Sequence, residues 1–153
     1  MKKLSLLLLA AVALGSCKKN DDNSPSTPSK TDLLTTKSWR PTTASVSITA
    51  AGTTLPIGSL GACNADDVVK FGTDKSFTAD AGATKCDPTD PQTTKGTWSM
   101  PTDTQLTLMS AGTSSIPGGT FDIKELTSST LHLYSAETTS GVTTTIDITM
   151  KAI

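Results

Sequence analysis

Apolar residues recur at every second position through most of the chain beyond residue 38. In Thr143 to Lys151, Ile146, Ile148 and Met150 fall on one side of an extended backbone, and Thr145, Asp147, Thr149 and Lys151 on the other. That is the pattern of a half-buried strand. Leu106 with Leu108, Phe121 with Ile123, and Leu131 with Leu133 repeat it, as do Val46 with Ile48, Val69 with Phe71, Phe77 with Ala79, and a segment about Trp98. Eight strands are predicted, at 39–51, 67–72, 75–81, 94–100, 104–110, 119–126, 129–137 and 142–152. Threonine and serine are abundant here and strong helix formers scarce, which agrees with strands and turns. The exception is Thr31 to Lys37, where Thr31 or Asp32 caps a single helical turn whose Leu33 and Leu34 close one end of the core.

Short connections make these strands antiparallel neighbours. Gly72-Thr73-Asp74-Lys75 joins Phe71 to Phe77 in a tight hairpin, Met100-Pro101-Thr102-Asp103 makes a turn, and Ser140-Gly141 makes another. Sequential hairpins form a meander, and closing it removes exposed edges. The fold class expected is therefore all-β, an eight-stranded antiparallel up-and-down barrel with a short N-terminal helical turn. A two-sheet sandwich is the alternative.

The first 17 residues follow a different pattern. Lys2 and Lys3 precede an apolar run from Leu4 to Leu14 that is too short to span a bilayer, and Leu14-Gly15-Ser16-Cys17 resembles a lipobox. Residues 1–16 are thus expected to be a lipoprotein signal peptide, with Cys17 becoming the acylated first residue of the mature chain. Each buried acyl methylene contributes about 0.8 kcal/mol, so several chains hold a protein firmly in a membrane. Residues 17–30, polar and punctuated by prolines, are expected to be a lipidated disordered tether. Lys18-Lys19-Asn20-Asp21-Asp22 resembles the charged signals that send some Gram-negative lipoproteins to the outer face of the outer membrane. The expected location is that membrane, at the cell surface or on its periplasmic face.

Loss of Lys2 and Lys3 leaves 11 basic residues against 14 acidic ones in the mature chain. No basic patch is available to neutralise phosphates, which argues against nucleic acid as a partner. Three cysteines are an odd number, but acylation of Cys17 leaves Cys63 and Cys86 as a pair in an oxidising compartment. They are expected to form a disulfide, since two thiols without nearby histidines do not complete a zinc site. Phe71 and Phe77 are symmetric about residue 74, and the cysteines about 74.5, so pairing of the hairpin brings them opposite each other. Closing about 24 residues contributes roughly 3 kcal/mol in the loop-entropy description.

Several segments carry a family resemblance. Leu33-Leu34-Thr35-Thr36-Lys37-Ser38-Trp39, Cys63 followed by Asp66-Asp67-Val68-Val69-Lys70-Phe71, the turn at Gly72 to Lys75, Asp80 to Gln92 with Cys86 at its centre, and Lys95-Gly96-Thr97-Trp98 together resemble the lipocalin-like domain of bacterial cell-envelope lipoproteins. Gln105 to Leu108 and Phe121 to Leu131 fit its meander, so the likeness covers roughly residues 31 to 152 of a domain assigned to 31–153. It implies a small antiparallel barrel. Trp39 resembles the tryptophan of the lipocalins' first strand, which plugs the barrel's closed end, although Lys37-Ser38 stands where lipocalins have a glycine.

Candidate chemistry is sparse. Trp39, Phe71, Phe77, Trp98 and Phe121 are core residues by default, and the candidate ligand-binding set if the barrel encloses a cavity. Asp66, Asp67, Asp87 and Asp90 flank the two cysteines, so a disulfide gathers them at one rim. There they serve as turn-forming acids, a contact surface for a basic partner, or a weak calcium site, with no metal otherwise expected. His132 is the only histidine, and no Gly-x-Ser-x-Gly elbow, phosphate-cradling glycine loop or zinc-spaced histidine set accompanies it. No enzyme activity and no cofactor are expected. Two functions remain: a barrel that binds a small or amphipathic ligand at the envelope, or a docking or hydrolase-inhibitor module. The docking module would present loops such as 111–119 to an envelope protein.

Overall fold

The computed structural model describes residues 27–110 and 116–153. The expected signal peptide, Cys17 and most of the expected tether lie outside the described residues, as do residues 111–115 of the expected display loop. A short helix, α1 (Lys30–Thr35), precedes nine strands among the described residues: β1 (Ser38–Ala50), β2 (Thr53–Ser59), β3 (Val68–Phe71), β4 (Ser76–Asp80), β5 (Thr93–Thr102), β6 (Gln105–Ser110), β7 (Gly119–Leu126), β8 (Thr130–Thr139) and β9 (Val142–Ala152). All neighbours are antiparallel. β3 to β9 follow in sequence order, and β9 returns to β1, which also pairs with β3. The protein is an eight-stranded closed up-and-down barrel with one additional strand, β2. No sandwich forms.

The expected strands agree with the observed ones to within two residues, and the missing element is β2. Its sequence, Thr-Thr-Leu-Pro-Ile-Gly-Ser, contains a proline and a glycine that argue against a central strand. As an edge strand it needs no N–H at Pro56 on its free side. The Ala51-Gly52 connection, with φ of 50° and 79°, is a two-residue hairpin turn with both residues left-handed. Ser140-Gly141 between β8 and β9 has φ of 52° and 80° and makes the same turn where the sequence predicted one.

Helix α1 starts earlier than expected, and its cap is Ser29 rather than Thr31 or Asp32. The Ser29 side chain accepts from the Asp32 amide, and the Asp32 carboxylate accepts in turn from the Ser29 amide, a reciprocal capping box. The helix closes one end of the barrel. Leu34 is fully buried, and the Trp39 indole Nε1 donates to the Leu34 carbonyl oxygen at 2.9 Å. Lys30 reaches the Asp103 carbonyl in the β5–β6 turn at that same end. Trp39 therefore lies buried beneath α1 at the closed end.

The core fills the barrel between the sheet faces. Val69, Phe71, Phe77, Leu106, Leu108, Phe121, Leu131, Leu133 and Met150 are buried around Trp39. The Phe71 and Phe77 rings face each other across the β3–β4 hairpin at 6.1 Å, and Phe71 meets Trp98 edge-on at the same separation. Such geometry adds to the apolar burial. Gly96 lies opposite Phe77, and a Cβ there would overlap both the Phe77 ring and the Met109 carbonyl. The Gly96→Ala variant is accordingly expected to lose about 1–3 kcal/mol of stability in urea unfolding. Stability equal to the native chain would mean that β5 has room to move.

Candidate functional site

Strand direction sorts the connections into two ends. The turns at 72–75, 103–104 and 127–129 lie with α1 at the closed end, whereas segments 60–67, 81–92 and 116–118 lie at the other. The closed-end turns are tight and the opposite ones long, so chemistry not devoted to closing the barrel is concentrated at the open end.

β1 gives that end its asymmetry. Its first two residues pair with β3 on one edge, but from Ser45 onward the same edge pairs with β2. A bulge between Pro41 and Thr43 marks the change of course, at a proline that has no N–H to place in a ladder. Thirteen residues at about 3.4 Å each carry β1 roughly 40 Å, past the short strands β3 and β4. With β9, β8 and β2 it forms a four-stranded extension over the mouth. Ala44, Val46, Ile146 and Ile148 continue the core onto its inner face. The outer face carries threonine pairs, Thr49 with Thr54 and Thr138 with Thr143, each hydrogen-bonded at 2.8 Å.

Two hollows adjoin at this end. A groove of about 140 Å³ is lined by Ala44, Val46, Ile146, Ile148 and Leu60, with Pro117 opposite. A larger cleft, about 330 Å³, lies between segments 63–67 and 79–94 and is walled by the cysteine pair. Asn64 borders both. The larger hollow is polar: Asp67, Asp80 and Asp90 face it with Lys85, whose ammonium donates to the carbonyl oxygens of Pro88 at 2.9 Å and Asp90 at 2.7 Å.

Cys63 and Cys86 form the expected disulfide, with Cα atoms 5.1 Å apart. Phe71 pairs with Phe77 and Val68 with Asp80, so the ladder delivers the cysteines to each other. The four aspartates gathered by the sequence argument separate. Asp66 accepts from the Ala83 and Thr84 amides at 2.7 and 3.2 Å and fixes the turn at Gly82, whose φ of 62° and contact with Asp66 leave no space for a Cβ. Asp87 accepts from the amide and hydroxyl of Thr89 in its own turn. Asp67 and Asp90 share the cleft with Asp80, which the sequence argument missed because a strand-terminal aspartate before a glycine reads as turn chemistry alone. No set of three or more potential ligands able to hold a metal occurs among the described residues. These aspartates do not assemble a calcium site.

The five aromatic candidates lie in the core. Trp39, Phe71, Phe77, Trp98 and Phe121 are all 2 % exposed or less and belong to the packed interior, bordering neither hollow. His132 Nε2 lies 3.0 Å from Asp147 Oδ1 on the outer face, across the β8–β9 ladder. No family model matches the chain, and no curated protein sequence does so at a significant level.

Three exposed aspartates have carboxyl groups held below their ordinary value of 3.8 by local donors. For Asp32 they are the side chain and amide of Ser29, for Asp74 those of Ser76, and for Asp87 those of Thr89, with Lys85 adding a smaller attraction. A lowered folded-state pKa contributes stability that is present above the unfolded value and lost as pH falls through the folded one. Carboxyl carbon NMR should show all three titrating below the usual aspartate range, with Ser76→Ala returning Asp74 upward. An unmoved Asp74 in that variant would show that Ser76 is not the cause. Removing the disulfide with Cys63→Ser and Cys86→Ser together is expected to cost about 3 kcal/mol in urea unfolding, with dithiothreitol no longer affecting the variant.

Proposed function

We propose that this chain is a lipid-anchored, non-enzymatic lipoprotein of the outer membrane, with a lipocalin-like barrel that binds a small amphipathic molecule at its open end. The observation that carries this reading is the junction at Asn64 of an aliphatic groove and a polar cleft. A molecule with an apolar tail and a polar head matches that pairing, and recognition by a mostly apolar hollow with a few placed polar groups is how small ligands are ordinarily held. Anchoring rests on the signal pattern ending at Cys17. The chain enters the barrel at the closed end through α1, so a tether there leaves the mouth facing away from the membrane.

A second reading, docking to an envelope protein or inhibition of a hydrolase, has its own support in β2. This strand has a free edge, and Leu55 and Ile57 on it are 55 % and 58 % exposed. Exposed edges of this kind invite pairing with another chain.

The two are separated by native mass spectrometry of the acylated mature protein taken from its own membrane. The ligand reading expects an adduct of a few hundred daltons, lost when Val46→Trp fills the groove at little cost in melting temperature. The docking reading expects no adduct and a co-isolated polypeptide. An adduct that survives Val46→Trp would remove the groove from the binding site. Anchoring has its own measurement, since Cys17→Ala should abolish palmitate incorporation and leave residues 1–16 attached.

A further inference from the structure

We propose that the disulfide-walled cleft at the open end is a binding site for a small primary ammonium compound, with Asp67 as its anchor. This deepens the ligand reading above and rests on it for the location, though not for the chemistry.

Asp67 is 2 % exposed and forms part of the cleft wall. Its Oδ2 accepts from the Asn64 side-chain amide at 3.2 Å, but its Oδ1 is buried without any donor among the described residues. A carboxylate oxygen left in that state is costly, and more so than a neutral group. None of the described residues supplies that donor, and the cleft that Asp67 borders gives an outside group a route to it. The last torsion of an aspartate is soft, so a small rotation turns that oxygen toward the cleft.

The surroundings select the charge of the donor. Asp80 and Asp90 line the same cleft, and Lys85 is the one cation among the described residues that line it. Lys85 already donates to two backbone carbonyls, which holds it against the 88–90 turn. Asp80 accepts at its Oδ1 from the Gly82 amide and the Gln92 side chain, both at 2.9 Å, which fixes its orientation while its charge adds to the field around Asp67. Three carboxylates against one ammonium make the cleft a trap for positive charge. A metal is a poor occupant, since the carboxylates do not converge as a ligand set. A primary ammonium brings three donors and needs no such convergence. A cleft of about 330 Å³ holds a molecule the size of a hexosamine or short diamine, with room for its remaining hydroxyls at Asn64.

The test is calorimetry on the acylated mature protein in phosphatidylcholine nanodiscs, with glucosamine and putrescine as probes and glucose as the uncharged control. The amines are expected to bind with a dissociation constant on the order of 1 mM or tighter, weakening as salt is raised, while glucose gives no heat. Asp67→Asn, which keeps shape and removes charge, should weaken binding at least about tenfold. Ala81→Phe, which fills the cleft and leaves every carboxylate in place, should do the same if Asp67→Asn disturbs folding. No heat from either amine overturns the proposal. Equal binding of glucose and glucosamine also overturns it, while leaving a ligand site at the open end. Amine binding that survives Val46→Trp, in a protein with no native adduct, sustains this site and removes the amphipathic ligand instead.

Discussion

The barrel closes through two residue pairs, Ser38 with Lys70 and Trp39 with Val69, and the rest of the structure depends on that narrow seam. Two pairs of strand residues are too few to hold a ladder by backbone bonding alone. Trp39 compensates by being fully buried at the seam while its indole N–H satisfies the Leu34 carbonyl at the end of α1. One side chain thus joins the helix that covers the closed end, the first strand and the strand that completes the circle. A hydrogen bond of this kind contributes about 1 kcal/mol, and burial of the indole contributes more.

Because β1 leaves β3 so soon, its edge is free to accept β2, and the long partners β8 and β9 follow it beyond the barrel. The open end is lopsided as a consequence. One side is a four-stranded extension whose inner face is aliphatic, and the other is a pair of loops held by a disulfide. A symmetric barrel of these short strands would have been filled to both ends by its own side chains. The offset between a long wall and a low one is what leaves hollows of 140 and 330 Å³ at the mouth.

Most of the fold was legible in period-two alternation because burial on one face is what an antiparallel barrel demands of each strand. Ile146, Ile148 and Met150 alternate with polar residues, and their partners Val46, Ala44 and Pro41 do so across the ladder until the Pro41–Thr43 bulge shifts the phase. β2 escaped for the converse reason. All seven of its residues are exposed, so no face needed to be apolar, and Pro56 and Gly58 obey the rules of an edge. The Ser29 cap was visible as Ser-x-x-Asp but lay inside a segment whose composition reads as linker. The disulfide was legible because hairpin symmetry is a property of sequence distance, whereas the cleft was not. It depends on which way each aspartate turns once the loops are tied, and Asp66, Asp67, Asp80 and Asp87 are locally alike.

Charge is distributed along the barrel axis in a way that composition hides. Asp66, Asp67, Asp80, Asp87 and Asp90 gather at the open end with Lys85, while at the closed end Lys30, Lys37, Lys75 and Lys151 are interspersed with Asp32, Asp74 and Asp103. Most of the open-end acids are local architecture, since Asp66, Asp80 and Asp87 each cap a backbone amide of the 81–92 loop. Asp67 differs in accepting from no backbone amide: its donor among the described residues is the Asn64 side chain, and its Oδ1, like that of Asp66, is buried without one. An alanine there would lose the Asn64 side-chain bond but no backbone partner, so the carboxylate contributes little to holding the loop. Its negative charge, buried in the wall of the acidic cleft beside Asn64, is what the proposed ammonium ligand would meet.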